Sequence, residues 1–354
     1  MTKPPPGLKL DTFYQKYVSA GGFPIVGSAK VSDFALKEAA YLVSNLLATR
    51  PDLKAAMIEK GARLAVMSHT EFTTDLPEHS MMRPKLFHDM RSRGLGGPTC
   101  SCGEENLLGY RGDPYAVENI LIHEFAHTIH VHLKNVDPTF DERLKASYDA
   151  AMRKGLWLGK YASNNHGEYF AEGVQSWFSN NDPNHPRTRE ELRKYDPALA
   201  GICDEVFRDC SFVYTRPETR LKGHLAGFDP RTSPTFRWPK EVTDWNTAIR
   251  QPLPRGKVSW MNLPRYPVRA DKKMKSSTSR NRVQLLLVNT RNRTIHFQWV
   301  DPKGRKPQPP GSVYPGDVME LSTFEGHVFE IRDEYDRPMC YVKAGNKESR
   351  ALIQ

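Results

Sequence analysis

The sequence has no long apolar run, and this absence limits the kind of protein it can encode. No segment approaches the roughly 18 consecutive apolar residues that a membrane helix needs. The N-terminal stretch from Met1 to Pro6 also lacks the apolar core of a signal peptide. We therefore expect no membrane span and a cytoplasmic protein, unless a leader has been removed from the chain.

Cysteine is scarce, with five in 354 residues. Cys100 and Cys102 form one close pair, Cys203 and Cys210 form another, and Cys340 stands apart. Two disulfides and five free thiols are both compatible with this pattern, so the redox compartment stays open. Neither pair has zinc-finger spacing, which argues against a structural zinc site built from the four.

Net positive charge is also scarce outside one segment. The net charge is +10, and residues 245–282 carry ten Lys or Arg against Asp271 alone, a balance of +9. A basic segment can contact nucleic acid, anionic glycans or a membrane surface. No aromatic residue interleaves with the run from Lys272 to Arg282, so we interpret 245–282 as a basic, Pro-rich linker and do not expect nucleic acid as a partner.

The N-terminal part has mixed helix and strand signals. Apolar residues recur at helical spacing after the capping candidates Ser32 and Asp33, and a second helix is predicted over about 52–60. Residues 63–67 have the pattern of a buried strand. Residues 94–103 are rich in Gly, Pro and Cys, which predicts a loop.

Further along, the pattern changes from helical to alternating. A helix is predicted from Asp113-Pro114, as cap and first turn, to about Lys134. Others are predicted over about 167–178 and 187–207, and alternation begins near Val283. The sequence therefore predicts an α+β protein: a mainly helical domain over 1–244, the linker, and a small all-β sandwich over 283–354.

An H-E-x-x-H pattern lies inside the predicted helix, at His123-Glu124-Phe125-Ala126-His127. Positions i and i+4 share one helical face, so both imidazoles can reach one metal ion. Glu124, beside the first histidine, can accept a proton from water activated at that metal. A catalytic zinc ion needs a third protein ligand and an open position.

The third ligand is predicted on the helix expected over about 167–178. Glu168 and Glu172 share one face there, and we interpret Glu168 as the ligand and Glu172 as the acceptor for the N–H of a zinc-bound histidine. His166 is an alternative ligand, whereas His130 and His132 are interpreted as surface or packing groups. Leu107 to Tyr110 is either the strand against which a substrate lies or a plain core strand.

This set of residues, with Tyr161 seven positions before Glu168, resembles the gluzincin peptidases of the anthrax lethal factor and Pro-Pro endopeptidase type. The resemblance covers about 110–180 and implies a zincin-like domain. It implies Glu124 as the catalytic base and Tyr161 as the group that stabilises the tetrahedral intermediate. The zinc ligands that it implies are His123, His127 and Glu168.

The C-terminal residues, about 283–342, resemble the β-domain of the von Hippel-Lindau tumour suppressor. The matching residues are Val288-Asn289, Trp299, Gly304, Pro307-Gln308-Pro309, Pro315-Gly316, Gly326-His327 and Arg332-Asp333. In that family an aromatic pocket holds a 4-hydroxyproline. Position by position, the pocket here would consist of Trp299, Thr323, Phe324, His327 and Phe329.

One departure from that family concerns selectivity. A pocket tyrosine of the family stands here as Pro310, which removes a hydrogen-bond donor and puts hydroxyproline selectivity in doubt. A plain interpretation also exists, in which Trp299 and Phe329 are core residues of a β-sandwich.

Together these patterns predict a peptidase with one catalytic Zn²⁺, acting on a peptide or protein. The C-terminal module would recognise proline- or hydroxyproline-containing protein. Two alternatives stay open: a zinc-stabilised binding protein with little catalysis, and a zinc amidase acting on a non-peptide amide. Glu124 favours an enzyme, because a structural zinc ion needs no base beside it.

Overall fold

The computed structural model describes residues 1–250, 261–308 and 310–354, and the chain divides into two compact units. The first unit is Met1–Trp238 and the second is Pro239–Gln354. The first unit has one sheet and the second has two, and each unit has its own buried apolar core. Within the described ranges, every helix is too short or too polar to cross a bilayer.

The first unit contains a five-stranded sheet. Its strands, in chain order, are β1 (Lys16–Ala20), β2 (Phe23–Gly27), β3 (Leu64–Met67), β4 (Gly94–Leu95) and β5 (Cys100–Gly103). In space the order is β1-β2-β3-β5-β4. The three inner strands run parallel, and the two edge strands run antiparallel to their neighbours.

Nine α-helices accompany this sheet in the first unit, all of whose residues are described. They are α1 (Asp33–Leu46), α2 (Pro51–Glu59), α3 (Lys85–Arg91), α4 (Glu104–Leu108), α5 (Ile120–Leu133), α6 (Phe140–Arg153), α7 (His166–Trp177), α8 (Arg189–Tyr195) and α9 (Pro197–Phe207). The predicted start of α1 is confirmed, because the Ser32 side chain accepts a hydrogen bond from the Phe34 N–H.

The predicted loop over 94–103 is wrong, because this segment contains β4 and β5. All four residues of β5 are buried between β3 and β4. A side chain at Gly94 would place its Cβ 2.6 Å from Ile120 Cγ2 on α5. Small residues stand here because the sheet and α5 approach closely, and local composition alone cannot distinguish that need from a turn.

Helix α5, which carries the H-E-x-x-H pattern, begins later than predicted. Asp113 does not cap it; its carboxylate accepts hydrogen bonds from the Tyr115 N–H and from Asn106 Nδ2, both at 2.9 Å. The cap is Asn119, whose side chain accepts from the Ile122 N–H. The capping signal at Asp113 therefore belongs to a turn that leads into α5.

The prediction of a strand over 107–110 is also wrong, because Leu107 and Leu108 are the last residues of α4. Glu104 and Glu105 occupy the first turn of that helix, where negative charge is favourable. Gly109 follows with φ at 65°, a left-handed conformation that ends the helix.

The second unit, where it is described, contains two sheets and one α-helix. The helix is α10 (Lys240–Arg250), and the strands are β6 (Met261–Asn262), β7 (Arg265–Pro267), β8 (Arg282–Asn289), β9 (Ile295–Val300), β10 (Gly311–Val313), β11 (Val318–Phe324), β12 (Val328–Arg332), β13 (Pro338–Lys343) and β14 (Ser349–Ile353). One sheet has the order β10-β9-β12-β13-β7 and the other β11-β8-β14-β6. Their inward side chains form one core, and the predicted α+β class with a C-terminal β-domain is confirmed.

The segment predicted as a linker, 245–282, carries regular structure where it is described. It includes the end of α10 and strands β6 and β7, each paired within a sheet. Val242, Trp245 and Ile249 are buried on α10 at helical spacing, a signal that the basic, Pro-rich composition masked. Residues 251–260, with two of the basic side chains, lie outside the described residues.

All five cysteines are buried free thiols. Of the two arrangements compatible with the sequence, the structure therefore has the reduced one.

Candidate metal centre

Helices α5 and α7 pack against each other and bring the predicted metal ligands together. His123 Nε2 lies 3.1 Å from Glu168 Oε2, and His127 Nε2 lies 3.1 Å from the same oxygen. The two imidazole nitrogens are 3.2 Å apart. We call His123, His127 and Glu168 the metal triad.

These separations are close to those of ligands around one zinc ion. Zinc binds nitrogen and oxygen at about 2.0–2.1 Å with tetrahedral angles, which places neighbouring ligand atoms roughly 3.3 Å apart. Two nitrogens and a carboxylate oxygen this close also need positive charge between them. The donor set, its spacing and its partial exposure therefore fit a catalytic zinc ion.

The neighbouring carboxylates change the proton affinity of the metal triad. Burial alone lowers the pKa of His123, but the hydrogen bond to Glu168 and the charges of Glu124 and Glu172 outweigh it and raise that pKa. Burial raises the pKa of Glu168, and its hydrogen bonds to the two histidines reverse this and hold it well below its usual range. A proton shared within the triad and a bound cation are therefore alternative sources of the positive charge.

Gln175 orients His123, a role that the sequence analysis assigned to Glu172. The His123 Nδ1–H donates to Gln175 Oε1 at 2.7 Å, which leaves Nε2 free to bind a metal. Gln175 Nε2 in turn donates to Glu118 Oε2 at 2.6 Å. Glu172 Oε1 lies 4.0 Å from the same Nδ1, beyond hydrogen-bonding distance.

Glu172 is buried behind the metal triad. Burial raises its pKa to about 7, and the charge of His123 only partly opposes this. Its Oε2 has no hydrogen-bond partner within the described residues, although His185 Nε2 lies 3.8 Å away. Glu172 is therefore ready to carry a proton near neutral pH.

Glu124 lies beside the metal triad with a carboxyl group suited to accept a proton. Burial raises its pKa, and the charges of His123 and His127 and a hydrogen bond from the Gly96 N–H act in the opposite direction. A pKa above that of an ordinary carboxylate makes a better base. Gly96 lies so close to α5 that an added Cβ would be 2.5 Å from His127 Cβ.

Tyr161 lies in the 3₁₀ turn Tyr161–Ser163, just before α7. Its ring centroid is 6.1 Å from that of His123. Tyr161 is 43% exposed, but desolvation of its hydroxyl group and the charge of Glu168 raise the pKa of the phenol, so the hydroxyl keeps its proton and can donate a hydrogen bond. Tyr115, which the sequence analysis missed, is nearby, and its hydroxyl donates to the Arg91 carbonyl at 3.1 Å.

The other histidines of this region have different partners. His166, the alternative ligand, has its Nε2 3.0 Å from Asp141 Oδ1, and His130 Nε2 lies 2.9 Å from the same oxygen. His132 is buried and its Nε2 donates to the Pro98 carbonyl at 3.2 Å.

In the second unit, the structure brings together four of the five predicted pocket residues through direct contacts around His327. The ring of His327 lies 5.3 Å from those of Trp299 and Phe324, and its Nδ1 is 2.9 Å from Thr323 Oγ1. Trp299 Nε1 is buried without a hydrogen-bond partner in the described part of the chain. Phe329 lies opposite Trp299 on the neighbouring strand and is buried in the core. Burial lowers the pKa of His327, so its imidazole is neutral at neutral pH.

Comparisons with known proteins agree with the C-terminal part of this description. Residues 274–344 match the family model of the VHL beta domain. Comparison with curated proteins gives no match. The solved structure of the Pro-Pro endopeptidase from Paenibacillus alvei is similar at 17% identity and a TM-score of 0.39, over 52% of this chain and 97% of that chain.

Proposed function

We propose that the chain is a zinc-dependent peptidase whose ion is held by His123, His127 and Glu168. The proposal rests on the short distances between their three donor atoms, which lie 3.1–3.2 Å from one another. It also rests on the position of Glu124 on the same helix as both histidines. When bound, zinc supplies Lewis-acid polarisation of a carbonyl and acidifies a water molecule. A purely structural ion needs neither a base nor an open side.

The surrounding residues divide the catalytic work. Glu124 accepts the proton of the attacking water and passes it to the leaving nitrogen. The Tyr161 hydroxyl donates a hydrogen bond to the oxyanion that develops on the substrate carbonyl. Gln175 holds His123 in the tautomer that leaves Nε2 for the metal.

We propose β4 as the substrate edge in place of the segment at 107–110. It is the outer strand of its sheet, and an extended peptide would pair with it as a further strand by displacing the Ser92 hydroxyl, which hydrogen-bonds to the N–H and the carbonyl of Gly94. Gly94 lies directly against α5, because a Cβ added at this glycine would be 2.9 Å from Glu124 Cγ. A peptide paired along β4 would therefore run beside the metal triad.

The zinc assignment is tested by metal content. Purified wild-type protein, reconstituted and dialysed, is expected to hold a tightly bound zinc ion that Glu168→Ala loses. Glu190→Ala is the matched control, because Glu190 is an exposed glutamate paired with Lys194 on α8. A wild type without tight zinc would refute the peptidase; tight zinc in all three proteins would refute Glu168 as a ligand.

We further propose that the β-domain binds proline-containing segments of the substrate. Its support is the aromatic cluster around His327, the family match, and the Trp299 N–H, which has no partner among the residues that the structure describes. Full-length protein carrying Glu124→Gln, which avoids turnover, would be titrated with proline-rich peptides with and without 4-hydroxyproline. Trp299→Ala should abolish binding. Equal affinity for both peptides would mean that Thr323 and His327 do not read the hydroxyl.

A further inference from the structure

A second cluster of two histidines and one carboxylate lies outside the metal triad and has no part in the proposed chemistry. We call His130, Asp141 and His166 the outer triad. Both imidazole Nε2 atoms approach Asp141 Oδ1, at 2.9 and 3.0 Å. One donor atom from each of the three residues lies within 4.8 Å of the other two.

The fold brings these side chains together from three helices. His130 is on α5, Asp141 is in the first turn of α6, and His166 is the first residue of α7. Phe140 is buried beside Asp141, with its ring 5.7 Å from that of His130 and 5.5 Å from that of Phe170. This packing fixes the start of α6 and aims the Asp141 carboxylate at the two histidines.

We propose that the outer triad is a second site for a divalent transition-metal ion, with zinc as the physiological candidate. Two imidazoles and one carboxylate form a donor set that suits zinc and its neighbours in the first row, and that calcium and magnesium do not prefer. Asp141 is 61% exposed, so an ion can enter from solvent and keep water in its remaining positions. Greater exposure predicts weaker binding than at the metal triad.

An ion held there would cross-link the starts of α6 and α7 to α5. His166 precedes Glu168 by two residues and His130 follows His127 by three, so the outer triad braces the helices that carry the metal triad. This consequence rests on the proposed function; binding at the outer triad does not.

The test is zinc binding by the full-length chain, measured as bound metal against free zinc in equilibrium dialysis. Wild type is expected to hold two ions, one tight and one weaker. Glu168→Ala should keep the weaker ion, and His166→Ala should keep the tight ion with the weaker affinity reduced at least about tenfold, since a ligand is lost. Asp149→Ala, an exposed change on the same α6, is the matched control and should keep both.

A second measurement, the melting temperature with and without zinc, tests the inference if one of these variants folds poorly. Zinc should raise the melting temperature of Glu168→Ala but not of Glu168→Ala combined with Asp141→Asn. The inference is overturned if Glu168→Ala binds no zinc, or if His166→Ala and Asp141→Asn leave the binding curve of wild type unchanged. A wild type that binds only the weaker ion would instead refute the peptidase and leave the outer triad standing.

Discussion

The metal triad and the outer triad have the same donor chemistry and share two helices, yet their surroundings differ. The Glu168 side chain is 17% exposed, whereas the Asp141 side chain is 61% exposed. The metal triad has the buried Glu124 carboxyl group beside it and a chain of two hydrogen bonds behind His123. The two clusters therefore have the same kinds of donor atom. Burial and oriented neighbours distinguish the centre that we propose to be catalytic from the one that we propose only to bind an ion.

The largest effect is expected at the residue that distinguishes the two triads most. Glu124→Gln removes the base while keeping the size of the side chain, and should lower kcat by about 10²–10⁴-fold. Zinc at the metal triad should stay bound, because Glu124 is not a ligand. Turnover and metal content are measured on the same preparation, with Glu190→Gln as the control. Unchanged turnover would refute the proposed mechanism.

Tyr161→Phe should have the next largest effect. Loss of one hydrogen bond to the oxyanion lowers kcat by about 10²–10³-fold. The ring remains, so KM should change little. Tyr115→Phe is the comparison, because its hydroxyl already donates to the Arg91 carbonyl. Equal losses in both variants would mean that Tyr161 acts only through packing.

Gln175→Leu should weaken zinc binding at the metal triad by about 10–100-fold, since it removes the partner of His123 Nδ1. Zinc at the outer triad should be unaffected. Glu172→Gln should change the affinity much less, because Glu172 does not hydrogen-bond to that nitrogen and its pKa is already raised to about 7. Affinities are obtained by competition with a chelator. A larger effect from Glu172→Gln would restore the role that the sequence predicted.

The smallest effect concerns pH. The pKa of His123 is raised, so zinc must displace a proton from the metal triad at neutral pH. Its zinc affinity should rise with pH through and above the neutral range, by up to about tenfold per pH unit for each proton released. Burial lowers the pKa of His130, so that residue holds no proton above neutral pH and adds no such dependence there. Equal pH slopes for Glu168→Ala and His166→Ala would contradict this difference.

Local patterns predicted what lies on one element, and missed what depends on packing between elements. His123, Glu124 and His127 follow from helical spacing, and Glu168 from the next amphipathic helix. Gln175 was missed although it is a polar residue inside a buried turn of α7. A polar side chain in such a position needs a hydrogen-bond partner, which was a signal for its role. The two glutamates nearer the start of α7 drew the interpretation away from it.

The outer triad and strands β4 and β5 depend on contacts between separate segments. Nothing in the local sequence links Asp141 to His130 or His166, since the burial of Phe140 sets that approach. The glycines near α5 give this segment the composition of a loop. They stand there because α5 leaves no space for a side chain, and not because the chain has to be flexible.

Gly96 brings no side chain to the metal triad, but its position restricts which sequences can encode the site. In a saturation-mutagenesis fitness map, Gly96 would be as intolerant as the histidine ligands, because any Cβ would collide with α5 at His127. The two kinds of intolerance would differ in their cause. Ligand variants lose the donor atom, whereas variants of Gly96 keep every donor and displace the helix that carries two of them.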